Sequence, residues 1–168
     1  MSKIKVLCCL AIPVVILVSC KPAISQMCDK ARKNLEASLD YPKQLKVLAC
    51  SAPDSAFGVN YFSKQEITGM LKVMDRVTNQ LVAKTKDIND LSKIDAYTAS
   101  LIRRQMNTAT DVQKMIFQNV PKGEWSGWKV KIDYSCVDSN GIPYRAERWV
   151  FFDKDRKSVV KTFEIPLP

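Results

Sequence analysis

The chain has 168 residues, with 26 Lys and Arg against 17 Asp and Glu, a formal net charge of +9 and no histidine. That length suits one domain with a real core. The missing imidazole excludes Ser-His-Asp and Cys-His catalysis, His-ligated metal sites and a histidine general base. Five glycines, at positions 58, 69, 123, 127 and 141, form neither a phosphate-binding loop nor a dinucleotide fingerprint, and no cofactor is expected.

The amino-terminal segment reads as an address. Lys3 and Lys5 give a short positive start, and Val6 to Ser19 carries no charge. That run matches the roughly 7–15 residues of a signal-peptide apolar region. It falls short of the about 20 residues that cross a bilayer, and Pro13 interrupts it. It ends in Leu17-Val18-Ser19-Cys20, which resembles the lipobox of bacterial lipoprotein precursors. The resemblance implies a diacylglycerol thioether on Cys20, cleavage before it, and acylation of the new amino terminus. Two or more acyl chains suffice for stable anchoring. The expected organisation is therefore residues 1–19 as signal peptide, 20–26 as lipidated tether and 27–168 as a single α+β domain. Lys21 stands where an Asp would imply inner-membrane retention, and Pro22 to Gln26 lack an acidic cluster. The resemblance thus implies an outer-membrane protein facing the periplasm, where the cell has two membranes. In format the mature chain is similar to small envelope lipoproteins of unknown function.

Cys8 and Cys9 leave with the signal, and Cys28, Cys50 and Cys136 remain in an oxidising compartment. Cys50 and Cys136 both lie in strand-like runs and are the candidate disulfide, with one thiol left over; buried free cysteines are the competing reading. No Cys-x-x-Cys spacing supports a redox or zinc site, so no metal is expected. The positive charge is scattered from Lys30, Arg32 and Lys33 to Lys154, Arg156 and Lys157. Scattered charge reads as a solvated surface, able to meet anionic headgroups or acidic glycans. Outside the cytoplasm, nucleic acid is not an expected partner.

In chain order, Ile24, Met27, Ala31, Leu35 and Leu39 mark an amphipathic helix ended by Asp40-Tyr41-Pro42. Leu45 to Cys50 reads as a short strand, Ala52 to Ser55 as a turn, and Phe57 to Phe62 as a second short strand. Asp54-Ser55-Ala56 also resembles a three-residue O-glycosylation pattern, though an Asp-Ser turn explains it. Ser63-Lys64-Gln65-Glu66 has the form of a capping box. Ile67, Met70, Leu71, Met74, Val77, Leu81 and Val82 then mark one helical face. After a polar interruption at Asp87 to Asp90, a second helix runs from about Ile94 to Ile116, with Thr108 to Asp111 as a candidate kink. The two form a helical hairpin whose methionines fill core.

Trp128, Val130, Ile132, Tyr134 and Cys136 alternate with Lys129, Lys131, Asp133 and Ser135, the pattern of a strand with one wet face. Asn140-Gly141 offers positive φ for a tight hairpin. Strands at about Tyr144–Phe152 and Ser158–Ile165 complete a three-stranded antiparallel meander, extended by short strands from 45–62. The fold expected is α+β: an N-terminal helix, a helical hairpin, then the meander, with the helices on one face.

Trp125, Trp128, Tyr134, Tyr144 and Trp149 are the candidate ligand-contact aromatics, able to line a groove for a sugar or peptide. Core packing competes with that reading. Arg145, Glu147 and Arg148 suggest surface ion pairs. Asp153, Asp155 and Glu164 have part of a calcium-loop spacing, but Lys157 and Ser158 spoil it and a polar hairpin turn is expected. Ser126 and Lys129 fit Ser-x-x-Lys at a strand start, where the two side chains do not share a helical turn. The expected function is a non-enzymatic, lipid-anchored envelope protein that binds a protein or glycan near the membrane. The alternatives are a hydrolase using two carboxylates, or a structural spacer on the membrane surface.

Overall fold

A computed structural model describes residues 23–85 and 94–168. The chain is α+β. Among the described residues there are three α-helices, α1 (Ala23–Ala37), α2 (Lys64–Lys84) and α3 (Ala96–Gln118). The strands are β1 (Lys46–Cys50), β2 (Asp54–Ala56), β3 (Gly127–Val137), β4 (Pro143–Phe152) and β5 (Val159–Leu167). They form one five-stranded antiparallel sheet in the order β1-β3-β4-β5, with β2 also paired to β3. No described helix is long and apolar enough to cross a membrane. The Cys20 lipobox and the Asp87–Asp90 interruption lie outside the described residues.

The apolar spacing of α1 explains its position. Met27, Ala31 and Leu35 are four residues apart and fully buried against Val130, Ile132, Tyr134 and Cys136 of β3 and Ala146, Val150 and Phe152 of β4. The helix therefore spends its apolar face on its own sheet, leaving Lys30, Arg32 and Lys33 outside.

The opposite sheet face is also covered. Trp149, Phe151, Phe163 and Ile165 pack there with Phe62 and Met70 and with Val112 and Met115 of α3. Helices thus cover both faces, which corrects the expectation of one. The reason lies in β4, where Trp149, Val150, Phe151 and Phe152 are all buried in succession. A continuous apolar run of this kind belongs to a strand covered on both sides. The wet face expected for β3 is dry at one end for the same reason: Lys129 is only 5% exposed.

The disulfide joins Cys28 of α1 to Cys50 of β1, and Cys136 is a buried free thiol. This corrects the Cys50–Cys136 pairing. Cys50 lies opposite Ile132 in the ladder, so Cys136 is displaced from it by about 13 Å along the strand. Disulfides need Cα atoms within about 7 Å. Cys136 instead donates to the Tyr41 carbonyl at 3.4 Å.

Phe57 to Phe62 do not form a strand; the short strand is Asp54–Ala56, where a turn was expected. Ser126 ends this pairing, its amide donating to the Ala56 carbonyl at 2.8 Å and its hydroxyl accepting from Gly58 N–H at 2.7 Å. Phe62 then turns inward and meets Trp149, Phe151 and Phe163 edge-on.

The capping box forms as a reciprocal pair: Ser63 Oγ accepts from the Glu66 amide, and Glu66 Oε2 accepts from the Ser63 amide. Helix α3 starts on Asp95, whose carboxylate accepts from the Thr98 amide at 2.8 Å. It runs unbroken through Thr108–Asp111, where a kink was expected. The hydroxyls there find acceptors, Thr108 in the Glu164 carbonyl and Thr110 in the Met106 carbonyl. Gln105 ties α3 to α2 through the Met74 carbonyl and Thr78.

Both hairpin turns are organised by an aspartate. In the β3–β4 turn, Asp138 accepts from the amides of Asn140 and Ile142, and only Gly141 takes positive φ, at 77°. Asn140 does not share that conformation, contrary to a two-residue turn. In the β4–β5 turn, Asp153 accepts from the amides of Lys157 and Ser158.

Candidate functional site

Two polar constellations stand out, one on each face of the sheet. On the α1 face, the β4–β5 register sets Arg148 opposite Glu164. Glu164 accepts from Arg148 at 2.7 Å, from Arg104 of α3 at 2.8 Å and from the Tyr134 hydroxyl at 2.5 Å. The Arg104 guanidinium also lies 3.4 Å from the centroid of the Tyr144 ring. Burial, reinforced by the charge of Glu164, pushes the Tyr134 hydroxyl far above its ordinary value. Burial likewise raises Tyr144. Burial works against the charge of Arg148, but Glu164 outweighs it and the guanidinium is held above its usual range. The cluster fastens α3 to the sheet and has almost no free volume, about 10 Å³ beside Tyr144 and Arg104.

On the other face, between α2 and the part of the sheet that no helix covers, lies an open groove of about 590 Å³. Its walls are Glu66, Lys72, Val73 and Arg76 of α2, Lys129 and Lys131 of β3, Glu147 and Trp149 of β4, and Ser51, Ala52 and Asp54 near the sheet edge. Strand alternation brings Lys129, Lys131, Glu147 and Trp149 to this face. Helical spacing brings Lys72 and Arg76 to one side of α2.

The groove's carboxylates are all engaged. Glu66 closes the cap of α2 and lies 2.5 Å from Lys129 Nζ. Asp54 stands 3.8 Å from the same ammonium. Glu147 accepts from the Trp149 indole N–H at 2.8 Å and lies 3.9 Å from Lys131. Lys72 and Arg76, both exposed, have no acidic partner among the described residues. The uncompensated charge at the mouth is therefore positive.

The candidate aromatics do not share this groove. Trp125 and Trp128 meet edge-on at the start of β3, with Lys154 over the first ring and Arg156 over the second. Tyr134 and Tyr144 pair at the opposite end of the β3–β4 hairpin, on the α1 face. Trp149 alone reaches the groove, and it is only 4% exposed. Strand parity separates these residues: Trp128, Tyr134 and Tyr144 point one way and Trp149 the other.

The ion pairs expected of Arg145, Glu147 and Arg148 divide the same way. Arg145 grips Asp133 with two hydrogen bonds, at 3.0 and 2.5 Å, and Glu147 faces Lys131. Arg148 turns to the other face and is half-buried with Glu164. Lys129 meets Glu66 and Asp54, and Ser126 is occupied by Ala56 and Gly58, so the two do not form a dyad. Glu164 is remote from the turn that Asp153 caps. No group of Cys, Asp and Glu among the described residues could hold a metal ion. Sequence reasoning missed the Lys72–Arg76 pair, although its i,i+4 spacing on the polar side of α2 was readable. It also missed the Arg104–Glu164 pairing, which joins residues 60 positions apart.

Compared with known protein families, curated proteins and solved structures, the chain matches none.

Proposed function

We propose that the chain is a lipid-anchored envelope protein, held through acylated Cys20, whose domain from residue 27 to 168 binds a protein or glycan partner without catalysing a reaction. Residues 1–19 are its signal peptide, and in a cell with two membranes the outer membrane, facing the periplasm, is its expected site. The observation that carries the binding reading is the groove beside α2: its carboxylates are committed to cations, a helix cap and an indole, while Lys72 and Arg76 have no acidic partner among the described residues. A two-carboxylate hydrolase needs one carboxyl group kept protonated near neutral pH. The three carboxyl groups that are clearly displaced among the described residues, none of them in the groove, move the other way. Hydrogen bonds from Thr98 lower Asp95; at Asp138 and Asp153 burial opposes the charge but turn amides outweigh it. The Cys28–Cys50 bridge supports an oxidising compartment.

The test is metabolic labelling with a fatty acid in cells expressing the wild type or Cys20→Ala. Label incorporated by the wild type and lost in the variant is expected. Equal labelling of both would remove the anchor from this reading.

A further inference from the structure

We infer that the groove between α2 and the open sheet face takes an acidic peptide segment, its carboxylates meeting Lys72 and Arg76 and an apolar side chain resting against Val73. The inference rests on the binding-protein reading and names the chemistry of the partner.

Three features select this ligand. The first is charge: Lys72 and Arg76 lie one turn apart on α2 with no acidic partner among the described residues, and Lys131 is held by Glu147 only at 3.9 Å. Unpaired cations at a groove mouth favour an anionic ligand and speed its association. The second is the shape of the lining. Val73 gives an aliphatic contact beside the charged rim, above the buried Met70 and Ile165, which suits a side chain between carboxylates.

The third feature argues against a neutral saccharide stacked on a ring, which uses an open aromatic face. Trp149 is the groove's aromatic ring, and it is only 4% exposed. Phe163 stacks on it at 5.5 Å with planes 23° apart, and the Lys131 ammonium lies 5.2 Å from its centroid. Its N–H is spent on Glu147. The groove therefore offers ionic and aliphatic contacts, and no stacking platform.

The test uses the full-length protein in detergent and a fluorescein-labelled peptide of alternating Glu and Leu, followed by anisotropy. Saturable binding that weakens with added salt is expected. In the double variant Lys72→Glu/Arg76→Glu the affinity should fall at least tenfold. Both side chains are exposed, so folding should survive. Lys114→Glu, an exposed charge reversal on α3, should leave binding unchanged. Absence of binding, equal loss in Lys114→Glu, no loss in the double variant, or equally effective competition by polygalacturonate would each overturn the inference. In cells, a photo-cross-linking residue is placed at position 72 or at exposed Met106. A product at 72 whose partner peptide is acidic supports the inference. A product only at 106 overturns it and leaves the binding-protein reading standing; no product at either position overturns both.

Discussion

Glu164 of β5 and Arg104 of α3 meet at 2.8 Å across 60 residues of sequence. Around that contact Arg148 and Tyr134 complete a shell that satisfies the carboxylate from three directions. Two guanidinium groups around one carboxylate leave the cluster dependent on it. Glu164→Ala should therefore cost about 2 kcal/mol, because removing the shared partner leaves two partly buried cations uncompensated. Urea unfolding followed by circular dichroism measures it; a loss under about 1 kcal/mol would show that the cluster does not hold α3 in place.

The same cluster sets an alkaline limit. Tyr134 ionises near 10.0 in the unfolded chain and much higher when folded. The native state thus holds its proton more tightly. The stability this provides is complete below about pH 10 and is lost as pH rises beyond it. Tyr134→Phe should flatten that decline, leaving the contribution of Tyr144. On the acid side Asp95, Asp138 and Asp153 are lowered, so their contribution is present above about pH 4 and is lost as pH falls further. Thermal melts across pH read both limbs.

The Cys28–Cys50 bridge closes a loop with a sequence separation of 22. Its reduction should lower stability by about 3 kcal/mol, if loop closure dominates. A non-reducing peptide map should link the two cysteines and leave Cys136 alkylated only after unfolding. A Cys50–Cys136 peptide would overturn the register of β1 on β3.

Gly127 opens β3 at φ 149°, and a Cβ there would sit 2.1 Å from the Phe152 carbonyl oxygen. Backbone cannot move aside as a flexible side chain can. Gly127→Ala should destabilise by more than about 1 kcal/mol, whereas Gly141→Ala meets only the strain of its positive φ, with open space around it. Comparing the two unfolding midpoints separates collision from backbone strain.

Local signals were legible because their physics is local. The Ser63–Glu66 cap, the α1 stripe of Met27, Ala31 and Leu35, and the alternation of β3 each follow from a few neighbouring residues. What escaped was long-range. Burial of both sheet faces was written in Trp149 to Phe152, yet the alternation in β3 argued more loudly for one wet face. The cysteine pairing depended on the register that sets Cys50 against Ile132. The grouping of the aromatics failed on parity, since Trp149 and Tyr144 are an odd number of residues apart and so face opposite ways in one strand. The groove arises only where α2 crosses the sheet, so Lys72 and Arg76 carried no mark of a site until α2 was placed.

The central claim, a processed and lipid-anchored chain with one bridge in its domain, is tested most directly by the intact mass of the protein isolated from its native envelope. The expected mass is that of residues 20–168 carrying diacylglycerol and an amino-terminal acyl group, two hydrogens lighter for the Cys28–Cys50 bond. A mass that begins at Met1, or an unlipidated chain with all its cysteines reduced, would contradict it.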